Sequence, residues 1–282
     1  MIGVISAVYG IGLHYLNDPQ AIALIVLFLT AALFIITFVI TQSFEKTAEA
    51  NRLKSEFVSI VTHQLRSPLT SLSWAIEALI SGELGKVDEK QLEYLKILKE
   101  NNDRMGELVQ DLITVTKVED GSQFKNKELV SLETLAKNLV FKFQPFLQAS
   151  NIELKMKIDD NLPQVLTVAN QIKIVLENLI DNAIHYAKSK DGRKGLIEIL
   201  LHKKEKNIQF EIKDNGLGIP KEDQKFIFQK FFRSQNVRET QPYGSGLGLF
   251  ITKSIITKLG GKIGFKSEEG KGTTFWFILS IK

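Results

Sequence analysis

From Pro19 to Phe44 the sequence carries no charged residue. The stretch AIALIVLFLTAALFIITFVI within it is long enough, at ~1.5 Å per residue, to cross a ~30 Å hydrocarbon core as one helix. That run dictates the architecture of its end of the chain. Upstream, MIGVISAVYGIGLHYL is uncharged apart from a proton on His14, and the Asn-Asp-Pro at 17–19 is a turn signal. Residues 1–44 therefore read as a transmembrane hairpin with helices near 2–16 and 20–43. Almost no outside loop is left, and no room for an external ligand-binding domain. A cleaved signal peptide is the rival for the first helix, but no basic segment precedes it and no small-residue cleavage site follows. Lys46, Arg52 and Lys54 come after the second helix, which by the positive-inside rule puts the remainder in the cytoplasm.

Apolar residues then recur at helical spacing: Phe57, Val61, Leu65, Leu69, Leu72, Ile76 and Leu79, followed by Leu92, Leu95, Leu98, Met105, Val109, Leu112 and Thr116. Steps of three and four over that length predict two amphipathic helices, with SGELGK at 81–86 as the turn. One hairpin buries only one stripe. Residues 45–120 are thus expected to form an antiparallel helical hairpin that pairs with a second copy as a four-helix bundle, making a homodimer. His63 lies two positions, roughly 200°, from both Val61 and Leu65, so its ring is directed off the seam. Pro68 lacks the amide hydrogen that would bond the carbonyl of Gln64, and a bend just past His63 is expected.

Composition narrows the rest. A hydrophobic content of 44% with 24% charge is that of a folded chain. The absence of cysteine removes disulfides, thiolate zinc sites and cysteine nucleophiles together. A net charge of +4, with both signs interspersed, gives no support to nucleic-acid binding.

Beyond the polar EDGSQFKNKE the pattern changes to mixed α/β over 129–282. Strand-like alternation marks IELKMKI, LIEILLH, IQFEIK and TTFWFILSI, and helical periodicity marks 131–149, 170–187 and 247–259. Four short motifs follow in order. NLIDNAIHYA holds Asn178 and Asn182 four residues apart, on one helix face; paired carboxamide oxygens suit Mg²⁺, which takes few protein ligands and shares the rest with water and phosphates. DNGLGIP puts Asp214 before Gly216 and Gly218, and its carboxylate is an acceptor for an exocyclic amine such as adenine's. FIFQKFFR precedes a polar loop, and YGSGLGLFI runs into a helix whose glycines let backbone amides approach an anion. GKGTTF follows late, and it lacks the glycine five positions ahead that a P-loop requires.

With these motifs in this order, residues 45–282 resemble the catalytic core of a bacterial membrane-bound sensor histidine kinase. HQLRSPLT is similar to the family's H box, and NLIDNAIHYA, DNGLGIP, FIFQKFFR and GSGLGLFI to its N, G1, F and G2 boxes. The resemblance implies a dimerisation and phosphotransfer bundle followed by a Bergerat-type (GHKL) α/β sandwich that binds ATP and Mg²⁺. It also implies autophosphorylation of His63 and transfer of the phosphoryl group to an aspartate in the receiver domain of a response regulator. By position, Asn178 and Asn182 serve the metal and phosphates, Asp214 the adenine amine, Tyr186 the base and Arg233 the γ-phosphate. Gly216, Gly218, Gly244, Gly246 and Gly248 hinge and shape the lid, with Leu247 and Thr273 in the same nucleotide-binding set. The implied location is the bacterial inner membrane, with membrane lipids or a neighbouring membrane protein as the stimulus. Imidazole, with an ordinary pKa near ~6.5, is largely neutral at cytoplasmic pH and offers a lone pair for in-line attack.

Three positions depart from the family pattern. Gln64 stands where an acidic residue commonly orients or accepts the imidazole proton, and an amide holds the ring but is no base. Ser67 stands where Thr or Asn orients water for phosphatase action. His185 replaces the usual N-box lysine. Gln64 therefore keeps open a catalytically weak ATP-binding adaptor or a phosphatase-biased kinase. An ATP hydrolase of the same nucleotide fold is the other rival, but its relatives commonly place a Glu where Asn178 stands.

Overall fold

The computed structural model of the protein describes residues 19–187, 194–240 and 244–281. The first expected membrane helix, near 2–16, lies outside them. Met1–Phe57 and Val58–Lys282 form two compact units.

Helix α1 runs from Pro19 to Ile80 as one element of 62 residues. A boundary near residue 44 is expected from the change in composition, yet the helix continues through it. The reason is local: no Gly or Pro occurs between Gln20 and Ser67, so nothing in the backbone stops propagation. Pro68 sits inside the helix rather than ending it. In the first unit Ala23–Thr47 is long and apolar enough to cross a membrane, and none of its most apolar window is buried in protein. Thr30, Thr37 and Thr41 donate their hydroxyls to carbonyls of the preceding turn, Val26, Leu33 and Thr37 respectively, at 2.8–2.9 Å. Each of these hydroxyls is thereby satisfied within the helix.

In the second unit the turn after Ile80 uses Gly82 (φ 79°) and Gly85 (φ 123°). Helix α2 (Glu89–Asp120) begins at a capping box: Asp88 accepts from the Gln91 amide while the Gln91 side chain accepts from the Asp88 amide. It ends at Gly121 in the left-handed conformation. Across the hairpin Lys99 pairs with Glu77 (2.8 Å), Asn102 Nδ2 donates to the Leu69 carbonyl (3.1 Å) and Arg66 to Gln110 (2.9 Å). Ile76 and Val109 are buried, whereas Leu65, Leu72, Leu98 and Met105 remain exposed.

The α/β part comprises β1 (Glu128–Val130), α3 (Leu132–Ala149), β2 (Ile152–Ile158), β3 (Val165–Thr167), α4 (Ala169–Tyr186), β4 (Gly195–Lys204), β5 (Asn207–Asp214), α5 (Gln235–Thr240), α6 (Gly248–Lys258), β6 (Lys262–Glu268) and β7 (Gly272–Ser280). Five strands form one sheet in the order β2-β4-β5-β7-β6, with only β2 and β4 parallel, and β1 pairs with β3 in a separate ribbon. Alternate residues on β4 (Ile197, Ile199, Leu201) and β7 (Phe275, Phe277, Leu279) are buried in one cluster with Ile172, Leu176 and Leu179 of α4 and Ile251 and Ile255 of α6. Full burial of each such side chain is worth roughly 1.5–3 kcal/mol. The outcome is a two-layer sandwich whose helices α4 and α6 lie on the same sheet. Strand β6 gives a poor sequence signal because Gly264 interrupts its alternation; a Cβ there would come within 2.3 Å of the Trp276 ring on β7.

Candidate functional site

Helix α4 presents Asn178 toward α6. Its Nδ2 donates to the Gly248 carbonyl at 3.2 Å and reaches Thr252 Oγ1 at 3.5 Å. Because Gly248 O is an acceptor, the nitrogen must face it, and Asn178 Oδ1 is the atom left over for an electropositive partner. Asn182 follows one turn later and is half-buried. At the end of α4 the exposed His185 places Nδ1 2.9 Å from the Asp181 carbonyl and 3.2 Å from its carboxylate. Burial pushes the Tyr186 phenol above its ordinary pKa, the nearby Arg233 guanidinium opposes that rise, and Asp181 adds to it.

Asp214 ends β5 with only 6% of its surface exposed. Its Oδ1 accepts from the amides of Gly216 (2.9 Å) and Thr273 (3.2 Å). Burial pushes its carboxyl up to about 6, and those amides hold it back from rising further. With Oδ1 doubly engaged, Oδ2 is the free acceptor. The loop after Asp214 is wedged between two neighbours. A Cβ on Gly216 would stand 1.8 Å from the Tyr186 carbonyl, and one on Gly218 (φ 63°) 2.0 Å from the Glu268 carbonyl. Leu217 N donates to Tyr186 O (3.3 Å), Gly270 N to Leu217 O (2.7 Å) and Ile219 N to Ser267 Oγ (2.9 Å). Gly216 and Gly218 thus allow close approach of backbone. Gly216→Ala is expected to lower the thermal unfolding midpoint by several degrees, reflecting overpacking of about 3 kcal/mol against main chain. A calorimetric scan of both proteins checks it.

Arg233 and the loop leading into α6 supply a third group. A Cβ on Gly244 (φ 143°) would lie 3.6 Å from the Arg233 guanidinium carbon, and one on Gly248 3.7 Å from the Asn178 carboxamide. Gly246 (φ 69°) packs so closely on Phe231 that a Cβ would come within 2.8 Å of its carbonyl carbon. Phe231 itself holds a φ of 62°, a left-handed conformation that bulky residues avoid, and its ring is exposed. Leu247 is fully buried at the head of α6, and its amide donates to Ser245 Oγ at 3.1 Å. Thr273 turns its hydroxyl to Ser267 (2.8 Å), so its amide faces Asp214 and its side chain does not.

Asn178, Tyr186, Arg233, Gly244 and Gly248 are therefore neighbours, and Asp214, Gly216 and Thr273 form an adjoining buried set joined to them through the Tyr186 carbonyl. His63, Gln64 and Ser67 stand apart from both as exposed positions on α1. His63 and Ser67 line a groove with Arg66, Thr70, Ser71 and Trp74, all from the same helix. Ser267 and Gln224 support the site without any local motif to announce them. Their partners are distant in sequence or are backbone atoms, as with Gln224 Nε2, which donates to the carbonyls of Ile219 and Ser267. Among the described residues no group of three or more His, Cys, Asp or Glu side chains forms a metal cage.

Two family models match the chain. "His Kinase A (phospho-acceptor) domain" covers residues 53–121, and "Histidine kinase-, DNA gyrase B-, and HSP90-like ATPase" covers residues 167–282. Drug sensory protein A of Synechocystis sp. is 34% identical over 85% of this chain and 37% of its own length. Sensor histidine kinase WalK of Bacillus subtilis is 32% identical over 81% of this chain and 37% of its own length. The chain thus spans little more than a third of these curated relatives. The crystal structure of full-length ShkA in complex with AMPPNP shares the fold, with a TM-score of 0.65 at 23% identity over 80% of this chain and 46% of that one.

Proposed function

The chain belongs to the sensor histidine kinases, and from that premise we propose that it autophosphorylates His63 from ATP and passes the phosphoryl group to an aspartate of a response regulator receiver domain. The observation that carries this reading is the convergence of Asn178, Arg233 and the Gly244–Gly248 loop beside the buried Asp214. Oδ2 of Asp214 accepts from the adenine amine, and Tyr186 closes one side of the base. The amides of the loop at the head of α6, with the positive end of that helix, take the phosphates. Arg233 offsets charge on the γ-phosphoryl oxygens. Asn178 Oδ1 and Asn182 are the oxygens toward Mg²⁺, which when bound neutralises phosphate charge and orients the γ-group. The uncommitted Oδ1 of Asn178 fits that assignment.

At His63 a neutral ring nitrogen attacks the γ-phosphorus in line. A nitrogen–phosphorus bond forms, the bond to the bridging oxygen breaks, and ADP departs with that electron pair. The imidazole proton leaves to solvent, because the neighbouring Gln64 side chain has no basic site. Gln64→Glu is therefore expected to raise the initial autophosphorylation rate about tenfold, less than the ~10²–10⁴-fold usual for general acid–base assistance because the neutral imidazole already carries the attacking lone pair. Ser67, one turn beyond His63, offers a hydroxyl that orients water in the reverse, phosphatase direction. The test is incubation of the chain with γ-labelled ATP and Mg²⁺. Acid-labile, alkali-stable label that moves to an added receiver domain supports the reading, and absence of label despite nucleotide binding overturns it.

A second copy completes the hairpin. Leu65, Leu72, Leu98 and Met105 form exposed apolar positions on its two helices, and pairing two such surfaces buries them as a four-helix bundle. Leu72→Asp is expected to convert a dimer into a monomer, read as a halved protein mass by light scattering. The candidate span Ala23–Thr47 supports anchoring in the bacterial inner membrane with the catalytic part in the cytoplasm. Lipids or a neighbouring membrane protein are then the source of the stimulus.

A further inference from the structure

Helix α2 does more than complete the hairpin. Its Asp111 carboxylate accepts a hydrogen bond from Ser245 Oγ at 2.5 Å, across 134 residues of sequence. Ser245 lies between Gly244, which adjoins Arg233, and Gly248, which adjoins Asn178. The same Ser245 oxygen accepts the Leu247 amide at the head of α6. A chain of contacts therefore runs from a carboxylate through a hydroxyl to the helix end where an anion would be received. Burial pushes the Asp111 carboxyl above its ordinary pKa, and the bond to Ser245 holds it down. Glu107, one turn earlier on α2, is raised by burial and by the neighbouring charges of Asp181 and Asp111. The hairpin thus brings two carboxylates to this region.

Other contacts clamp the same helix in place. Val118 is fully enclosed, and with Val115 it belongs to the hydrophobic cluster that contains Ile251, Ile255 and Ile256 of α6. Glu119 pairs with Lys230 at 2.6 Å, and Lys258 Nζ of α6 donates to the Glu119 carbonyl at 2.9 Å.

We propose that α2 is an internal competitor of the nucleotide: Asp111, held through Ser245 at the head of α6, occupies the loop that takes the phosphates, so that hairpin docking and nucleotide loading oppose one another. This rests on the nucleotide-binding reading given above. A carboxylate close to incoming phosphates repels them, and Ser245 Oγ screens the Leu247 amide that they need. Nucleotide loading in turn loosens α2, and signals that move the hairpin reset the affinity of the loop, since coupling between two sites is reciprocal. The Glu119–Lys230 pair and the Val118 contact set how firmly the helix is held without touching the phosphate loop.

The test titrates AMPPNP with Mg²⁺ into the full chain in detergent micelles by calorimetry. The proteins are wild type, Asp111→Ala, Asp111→Asn, Glu119→Lys and Glu119→Lys/Lys230→Glu. Loss of one charged hydrogen bond and its repulsion predicts about tenfold tighter binding for Asp111→Ala, with a smaller gain for Asp111→Asn, which keeps a hydrogen-bonding group. Glu119→Lys is expected to tighten binding by loosening the dock, and the charge-swapped double variant to return it toward wild type. Affinity unchanged or weakened in both Asp111→Ala and Glu119→Lys overturns the competition while leaving nucleotide binding intact. Failure of wild type and Asp111→Ala alike to bind AMPPNP overturns the nucleotide reading itself, and the competition with it.

Discussion

His63→Ala is expected to leave no acid-labile label on the chain after incubation with γ-labelled ATP and Mg²⁺, while nucleotide affinity stays within twofold of wild type, a difference worth under about 0.5 kcal/mol. The separation follows from geometry. His63 is exposed on α1 in a groove lined by that helix alone, whereas Asn178, Asp214 and Arg233 belong to the α/β part. Alanine removes the nucleophile and disturbs no buried contact, so the helix and its stability are unaffected. Loss of a covalent nucleophile cannot be offset by the positioning groups that remain. Label that persists at wild-type level in His63→Ala would point to another acceptor and overturn the assignment.

Asp214→Asn is expected to weaken ATP binding at least about 100-fold, because a site built around a buried hydrogen bond loses most when its polarity is inverted. The reason lies in the two amides at Oδ1. Gly216 N and Thr273 N both demand an acceptor there, so the carboxamide oxygen must take that place. The amide nitrogen then stands where Oδ2 stood, and a donor faces the adenine amine, which is also a donor. A base with a carbonyl at that position suffers no such conflict. The ratio of inosine to adenosine triphosphate affinity should therefore rise in the variant, as competition titrations will read.

The same substitution changes stability in the opposite direction. Burial raises Asp214 from an ordinary 3.8 to about 6 in the folded chain. Between those values the folded state holds a proton that the unfolded state has released, so this group's contribution to stability falls as pH rises through the window. Above about pH 6 the buried charge costs on the order of 3 kcal/mol relative to the protonated form. Asparagine removes that charge. Nucleotide-free Asp214→Asn is expected to melt no lower than wild type at pH 7.5, and to lose the part of the pH dependence between about 4 and 6 that Asp214 supplies. Melting well below wild type at pH 7.5 would mean that the carboxylate is structurally required rather than poised for a ligand.

Much of the fold was legible because the signals were local and periodic. The 3.6-residue stripe from Phe57 to Thr116 marked the hairpin, and alternation in IELKMKI and TTFWFILSI marked β2 and β7 within a residue or two. Short or interrupted elements escaped. β1 and β3 have three residues each and are defined only by pairing with one another, and β6 carries Gly264 beneath the Trp276 ring. The run through residues 44–45 was harder to read for a different reason: composition changes there, but the backbone meets no helix breaker.

Residue types and spacing were enough to nominate His63, Asn178, Asn182, Asp214 and the glycines, since each motif is contiguous and its chemistry is carried by side-chain identity. How those groups are used was decided only by tertiary contacts. Gly216 and Gly218 require close approach because the Tyr186 and Glu268 carbonyls press on them. Asp214 offers one oxygen because two amides, one two residues on and the other 59 residues on, claim the other. The Asp111–Ser245 contact joins helix α2 to the loop before α6, 134 residues further along the chain. A hydrogen bond over that separation leaves no periodicity in a sequence, because its existence depends on the packing of Val115 and Val118 that brings the two ends together.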